Sequence, residues 1–186
     1  MDNVVRQFMR TAWGAFEQTG TFFPSSKVAA KRIASFLPPG SKTVVEYGAG
    51  NGVLTRRLLD QMNGDSQLIA VEILPEFVSE LQKIDDPRLK VVSGDVKQIA
   101  RDLKQYNEQG VSAVFSGIPF SFLSRQDGGE IMTATHDGLE PGGVFVVYQN
   151  SPLQHRVMSK SFAKVSLVVE PRNLPPYFIM VGTKSS

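Results

Sequence analysis

The feature that most restricts how this chain can fold lies between residues 43 and 59. There a short β-rich run, Thr43-Val44-Val45-Glu46-Tyr47, enters Gly48-Ala49-Gly50-Asn51-Gly52 and passes at once into Val53-Leu54-Thr55-Arg56-Arg57-Leu58-Leu59. A strand that ends in a glycine-rich turn and opens directly into a helix is the first half of a βαβ unit, and that context lifts a glycine pattern above chance. From Lys42 onward the same alternation continues. Strands are expected at 43–47, 67–72, 89–93, 113–117, 144–149, 162–169 and 178–183. Helices are expected at 53–61, 75–83, 96–105 and 125–139, each with apolar residues at three-to-four spacing. Strands separated by crossover helices build a parallel sheet. The segment 170–177 holds three prolines and no room for a helix, so the last two strands are expected to pair antiparallel.

The first 40 residues differ. Val4, Val5, Phe8, Met9, Ala12, Trp13 and Phe16 recur at helical spacing with Arg6, Gln7 and Arg10 between them, which predicts an amphipathic helix. Phe22-Phe23-Pro24-Ser25-Ser26 ends it, and Ser25 or Ser26 can cap a second helix running to Phe36, before Pro38-Pro39-Gly40. The division expected is therefore 1–40, a helical segment that binds a membrane or closes over a pocket, and 41–186, a ligand-binding α/β domain. With 186 residues, one core suffices.

Composition removes several classes of chemistry. There is no cysteine, and His136 and His155 are the only histidines, so no structural metal is expected. The formal charge of +2 does not by itself point to a polyanionic partner. No apolar run nears the roughly 20 residues of a membrane-spanning helix, and no secretory leader is evident. A cytoplasmic protein is expected.

The carboxylates narrow the ligand. Glu72 follows Gly52 by 20 residues and ends the second strand, where it can accept ribose hydroxyl protons. Val53 stands where a dinucleotide turn would carry its third glycine, and Glu46 precedes the turn by two residues. That acid would repel a pyrophosphate but would suit a ligand carrying an ammonium and a sulfonium, which favours S-adenosylmethionine. Ser93-Gly94-Asp95-Val96 places a third carboxylate at the end of the third strand, within reach of an adenine amine. The blander reading is that Glu72 and Asp95 are helix caps or surface charges. The candidate cofactor residues are Glu46, Gly48, Ala49, Gly50, Gly52, Glu72, Ile73, Asp95, Val96 and Ser116.

The stretch from Glu46 to Phe120 resembles the class I methyltransferases, in particular the branch holding the rRNA adenine dimethylases and the bacterial phospholipid N-methyltransferases. The resemblance implies a Rossmann-like sheet of order 3-2-1-4-5-7-6 with strand 7 antiparallel and helices on both faces. It assigns S-adenosylmethionine to Gly48, Gly50, Gly52, Glu72 and Asp95, with S-adenosylhomocysteine as the product. A finer resemblance, to bacterial phosphatidylethanolamine N-methyltransferases, rests on three segments. They are Gly14-Ala15-Phe16 with Phe23-Pro24-Ser25-Ser26-Lys27, Ser116-Gly117-Ile118-Pro119-Phe120, and Arg172-Asn173-Leu174-Pro175-Pro176. The adenine dimethylases carry Asn-Leu-Pro-Tyr after strand four. Here Gly117 replaces that Asn, which removes the side-chain acceptor for an adenine amine.

The expected activity is transfer of methyl groups to the amine of phosphatidylethanolamine, toward phosphatidylcholine, at the inner face of the cell membrane. The N-terminal helix would hold the enzyme peripherally on anionic lipid. No nucleic-acid or obligate protein partner is expected. Gly117, Phe120, Tyr148 and His155 are the candidates for handling the amine: backbone carbonyls as acceptors, aromatic faces for a methylated ammonium, and an imidazole. The alternatives are an RNA adenine N6-methyltransferase and a non-catalytic membrane-surface module on the same scaffold.

Overall fold

A computed structural model describes residues 27–173 and 175–185. The expected N-terminal amphipathic helix falls outside these residues. Seven strands form one sheet in the order β3-β2-β1-β4-β5-β7-β6. They are β1 (Thr43–Tyr47), β2 (Gln67–Glu72), β3 (Leu89–Ser93), β4 (Val111–Ser116), β5 (Leu139–Gln149), β6 (Lys164–Glu170) and β7 (Tyr177–Thr183). The first five run parallel, and β7 pairs antiparallel with both β5 and β6. The expected order and the reversed seventh strand are both present.

Every residue of β1 and of β4 is buried, because helices cover the sheet on both faces. Residues of odd and even position feed separate cores. On one face, Ala29, Ala30 and Ile33 of α1 (Lys27–Ala34) and Leu54 and Leu58 of α2 (Val53–Leu59) pack with Val44, Phe115 and Val146. On the other, Val96 and Ala100 of α4 (Val96–Arg101) and Ile131 and Met132 of α5 (Arg125–Gly138) pack with Val45, Val114, Phe145 and Val147. The helix α3 (Pro75–Leu81) sets Leu81 against Ala49 and Ala70. Thus α1, which the sequence groups with residues 1–40, contributes to the core of the sheet.

Beyond shifts of one or two residues at element ends, three departures from expectation stand out. The strand β5 begins at Leu139, not at 144, and carries Glu140-Pro141-Gly142-Gly143 within it. That turn-like run is kept by pairing of Leu139 with Val111, across a register shift between Val111 and Ala113. The helix expected over 96–105 stops at Arg101, because Asp102 leaves helical geometry at φ −137°, and a 3₁₀ turn over Leu103–Gln105 follows. An unforeseen helix, α6 (Leu153–Met158), connects β5 to β6.

Candidate active site

Parallel strands deliver their carboxyl ends to one edge, and the register fixes which residues arrive together. Tyr47 aligns with Val71 and Ser116, and Glu72 with Ser93. The loops carrying Glu46 to Gly52, Glu72-Ile73, Asp95-Val96 and Ser116-Gly117 therefore leave the sheet side by side, at the edge where open α/β sheets bind ligands.

The glycine turn is tied to β2 by the Gly48 and Ala49 N–H groups, both donating to the Val71 carbonyl, at 2.9 and 3.2 Å. Gly48, Gly50 and Gly52 all have positive φ. Gly50 is the informative one: at φ +54° a side chain would be strained, and a Cβ there would meet nothing within 4 Å. Its backbone faces open space, as a surface for a ligand must.

Glu72 is 1 % exposed and organises this turn. Its Oε2 accepts from Gly50 N–H at 2.9 Å, and Oε1 accepts from Ile73 and Leu74 N–H at 2.7 and 3.0 Å. Burial raises its pKa, and the three backbone donors oppose that rise. Carboxylate oxygens can accept more than one hydrogen bond, so ribose hydroxyls can be received without dismantling the turn.

Glu46 is fully buried on the α2 face, where its Oε2 accepts from the Thr55 hydroxyl at 2.7 Å. The other oxygen, Oε1, is buried with no hydrogen-bond partner. Desolvation pushes the pKa to about 8; Thr55 opposes the shift and the nearby Glu72 charge adds to it. A buried acceptor with no donor costs about 1–3 kcal/mol, and a cationic or N–H-bearing ligand group would relieve that cost. Asp95 accepts from the Lys97 N–H at 2.9 Å and so caps α4. The bland reading of this residue is thus true as well, and the cap holds the carboxylate at the end of β3.

Opposite the turn, Gly117 N–H donates to the Tyr47 carbonyl at 3.0 Å, which draws the start of the post-β4 loop against β1. The Tyr148 hydroxyl lies only 2.5 Å from where a Cβ on Gly117 would stand. Tyr148 is buried, meets Tyr177 edge-on at 5.8 Å, and has its pKa raised well above the ordinary tyrosine value by burial, with Glu46, Tyr177 and Glu72 adding to the rise. The loop between β6 and β7 joins from the far side: the Asn150 amide donates to the carbonyls of Pro175 and Pro176 at 3.1 and 3.2 Å, and the buried Asn173 amide donates to Pro175 at 2.9 Å.

The structure thus gathers Glu46, Gly48, Ala49, Gly50, Gly52, Glu72, Ile73, Asp95, Val96, Ser116, Gly117 and Tyr148 along one edge. It places Phe120 in a 3₁₀ turn with its ring buried in the core under α5, against Gly128. Stacking on an incoming group would require that ring to leave its packing. His155 sits partly buried on α6. Thr55 and Tyr177 were not anticipated. Thr55 belongs to a helix face that looks like ordinary core, and Tyr177 lies just outside the expected strand.

The residues fit S-adenosylmethionine: three carboxylates around a bare backbone turn, and a buried acceptor facing no donor. Residues 44–143 match the family described as "Methyltransferase domain". The chain is 30% identical over 184 residues to an ornithine lipid N-methyltransferase of Singulisphaera acidiphila, covering 93% of this chain and 95% of the relative. It is 32% identical over 104 residues to an rRNA methyltransferase of Streptomyces thermotolerans, covering 54% of this chain and 32% of that protein. Among solved structures, the 1,6-didemethyltoxoflavin-N1-methyltransferase of Burkholderia thailandensis, with its substrate and S-adenosylhomocysteine bound, superimposes with a TM-score of 0.69 at 16% identity, covering 100% of this chain and 92% of that one. The chain belongs to the class I methyltransferases, which take their methyl group from S-adenosylmethionine.

Proposed function

We propose that this chain methylates the amine of a lipid headgroup, with phosphatidylethanolamine as its substrate and phosphatidylcholine as the end of the series. The observation that carries the reading is the contact between Gly117 and Tyr148. A Cβ at residue 117 would lie 2.5 Å from the Tyr148 hydroxyl and 2.9 Å from Cζ, so an asparagine there, as in an adenine dimethylase, would have to displace the Tyr148 ring. What remains beside the cofactor turn is backbone and the largely buried rings of Tyr148 and Tyr177. That suits an alkyl amine becoming a methylated ammonium, through cation–π attraction of about 0.5–2 kcal/mol per ring. Similarity to a lipid N-methyltransferase over nearly the whole chain supports the same substrate class.

S-adenosylmethionine, when bound, supplies a methyl group made electrophilic by its sulfonium. Glu46, Glu72, Asp95 and the bare backbone at Gly50 would hold it. The substrate amine has a pKa near 10.4 by analogy with lysine and must shed a proton before attacking. Tyr148 does not take that proton onto a phenolate, since its raised pKa keeps the hydroxyl protonated at neutral pH. The carbonyls of Ser116 and Gly117 are the acceptors proposed to orient the amine, and in-line positioning of this kind is worth up to about 7–11 kcal/mol. Desolvation of the amine lowers its own pKa and lessens the need for a strong base.

A second reading, methylation of an adenine in RNA, is favoured by the similarity to the rRNA methyltransferase. It needs a side-chain acceptor that Gly117 does not provide. The deciding experiment offers labelled methyl donor with mixed vesicles containing phosphatidylethanolamine and an ornithine lipid, and in parallel with rRNA, followed by mass spectrometry. Label in mono-, di- or trimethylated ethanolamine headgroups is expected. Label confined to the ornithine lipid would correct the substrate, and label in RNA alone would overturn the class.

A further inference from the structure

The edge of the sheet beside the site carries apolar surface that the core does not use. On α6, Leu153 is 71% exposed and Val157 36%. On β6, Leu167 is 43% and Val169 50% exposed. These four lie on one face of the sheet. Val165 pairs with Gly182 and packs against the core cluster that includes Met158 and Phe162, the two side chains that crowd Gly182, so α6 covers this face, and strand alternation puts Leu167 and Val169 on it as well. Met158 points inward over Gly182, which turns Leu153 and Val157 to the outside. Isolated exposed aliphatics need no explanation, but two pairs on adjoining elements form a patch.

Charge says what covers it. Leu153, Arg156, Val157 and Lys160 follow the spacing of a single helical face, and the turn after α6 keeps it by donating Lys160 N–H to the Val157 carbonyl at 3.1 Å. Arg156 and Lys160 are both exposed. Residues 141–169 contain no Asp or Glu, while Arg156, Lys160 and Lys164 lie among them; that excess of three exceeds the net +2 of the whole chain. Aliphatic side chains interleaved with cations, on a stretch without acids, match the boundary between anionic headgroups and acyl chains. The patch is also continuous with the site: α6 leaves the end of β5, and β6 leads into the loop whose Pro175 and Pro176 carbonyls are held by Asn150.

We propose that Leu153, Val157, Leu167 and Val169, flanked by Arg156 and Lys160, form a docking surface for an anionic bilayer, which sets the site mouth against the headgroup layer. The inference rests on the lipid reading above and names an attachment separate from the amphipathic segment that the sequence predicts near the N-terminus. The test is co-sedimentation of the full chain with vesicles of phosphatidylcholine, with and without phosphatidylglycerol. Two double variants, Leu153→Ser/Leu167→Ser and Arg156→Gln/Lys160→Gln, are compared with the wild type after thermal melts and S-adenosylmethionine calorimetry establish that fold and cofactor binding persist.

Each double variant is expected to lower partitioning onto the anionic vesicles by about tenfold, and the charge variant to show a weaker salt dependence. Partitioning unchanged within about twofold in both variants would overturn the proposal. So would a wild-type dimer in solution that Leu153→Ser/Leu167→Ser dissociates, since a second copy would then be the occupant. Sedimentation reads attachment whether or not lipid is methylated. Loss of binding in the variants with no methylated lipid at all would retain this surface and sink the substrate reading, whereas methylation of short-chain monomeric lipid with unaltered vesicle binding would do the reverse.

Discussion

The Thr55 hydroxyl donates to one oxygen of Glu46 at 2.7 Å, while the other oxygen of the same carboxylate is buried without a partner. The proposed cofactor site turns on that unpartnered oxygen. Desolvation holds the Glu46 pKa near 8 against an ordinary 4.5. The native state therefore keeps a proton that the unfolded chain has already released, and stability falls as pH rises from about 4.5 to about 8, by up to about 1.4 kcal/mol per unit. Glu46→Gln should remove this slope. Denaturant melts at pH 5.5 and 8 are expected to show the variant gaining on the wild type as pH rises. Calorimetry should show wild-type affinity for S-adenosylmethionine strengthening toward pH 8, while the variant binds weakly at every pH.

Glu72 bridges turn and strand through three backbone donors, and its removal should be felt in both stability and binding. Glu72→Ala leaves three N–H groups to find other partners and is expected to cost about 2–4 kcal/mol. Glu72→Gln keeps one oxygen but must turn an NH₂ toward backbone donors, so it should fold with reduced stability and bind cofactor at least about tenfold more weakly. Thermal melts with and without S-adenosylmethionine separate the effects: the cofactor-induced rise in Tm should shrink in both.

Gly50→Ala isolates the ligand surface from the fold. The left-handed backbone imposes about 1–2 kcal/mol of strain, yet nothing lies within 4 Å of the added methyl. The variant should fold and lose S-adenosylmethionine binding by more than the strain alone explains. Retained affinity would mean that the cofactor does not approach that backbone.

Much of this fold is legible in the sequence. The strands β1, β2 and β3 match their expected spans, since each is an uninterrupted β-rich run followed by turn residues. Glu46, Glu72 and Asp95 stand out in the sequence because each lies at or next to the end of one of three successive strands. Other features have no linear signature. Glu140-Pro141-Gly142-Gly143 looks like a loop and is carried into β5 only by pairing across β4. At six residues, α6 is too short for periodicity to register and depends on tertiary packing of Met158. Burial of Phe120 and closeness of Gly117 to Tyr148 arise from the meeting of β4, β5 and α5, and no spacing in the chain encodes them.

Tyr148 separates an aromatic wall from an acid–base group. Its hydroxyl stays protonated through the neutral range, so Tyr148→Phe should leave the shape of the pH–rate profile unchanged and lower kcat by no more than a few fold. Tyr148→Leu removes the ring that faces Tyr177 at 5.8 Å and the surface beside Gly117. It should raise KM for the aminolipid and hurt the later, more methylated substrates most, because cation–π attraction favours the ammonium that has lost its hydration. A companion change, Gly117→Asn, drives a side chain into the Tyr148 ring and should destabilise the fold by about 1–3 kcal/mol. Combining it with Tyr148→Ala should relieve that clash, so that the two losses add to less than their sum, without restoring lipid methylation. Steady-state kinetics on mono- and dimethylated headgroups, run beside the melts, check all four variants. A steep loss of rate with an altered pH profile in Tyr148→Phe would instead make the hydroxyl a proton carrier.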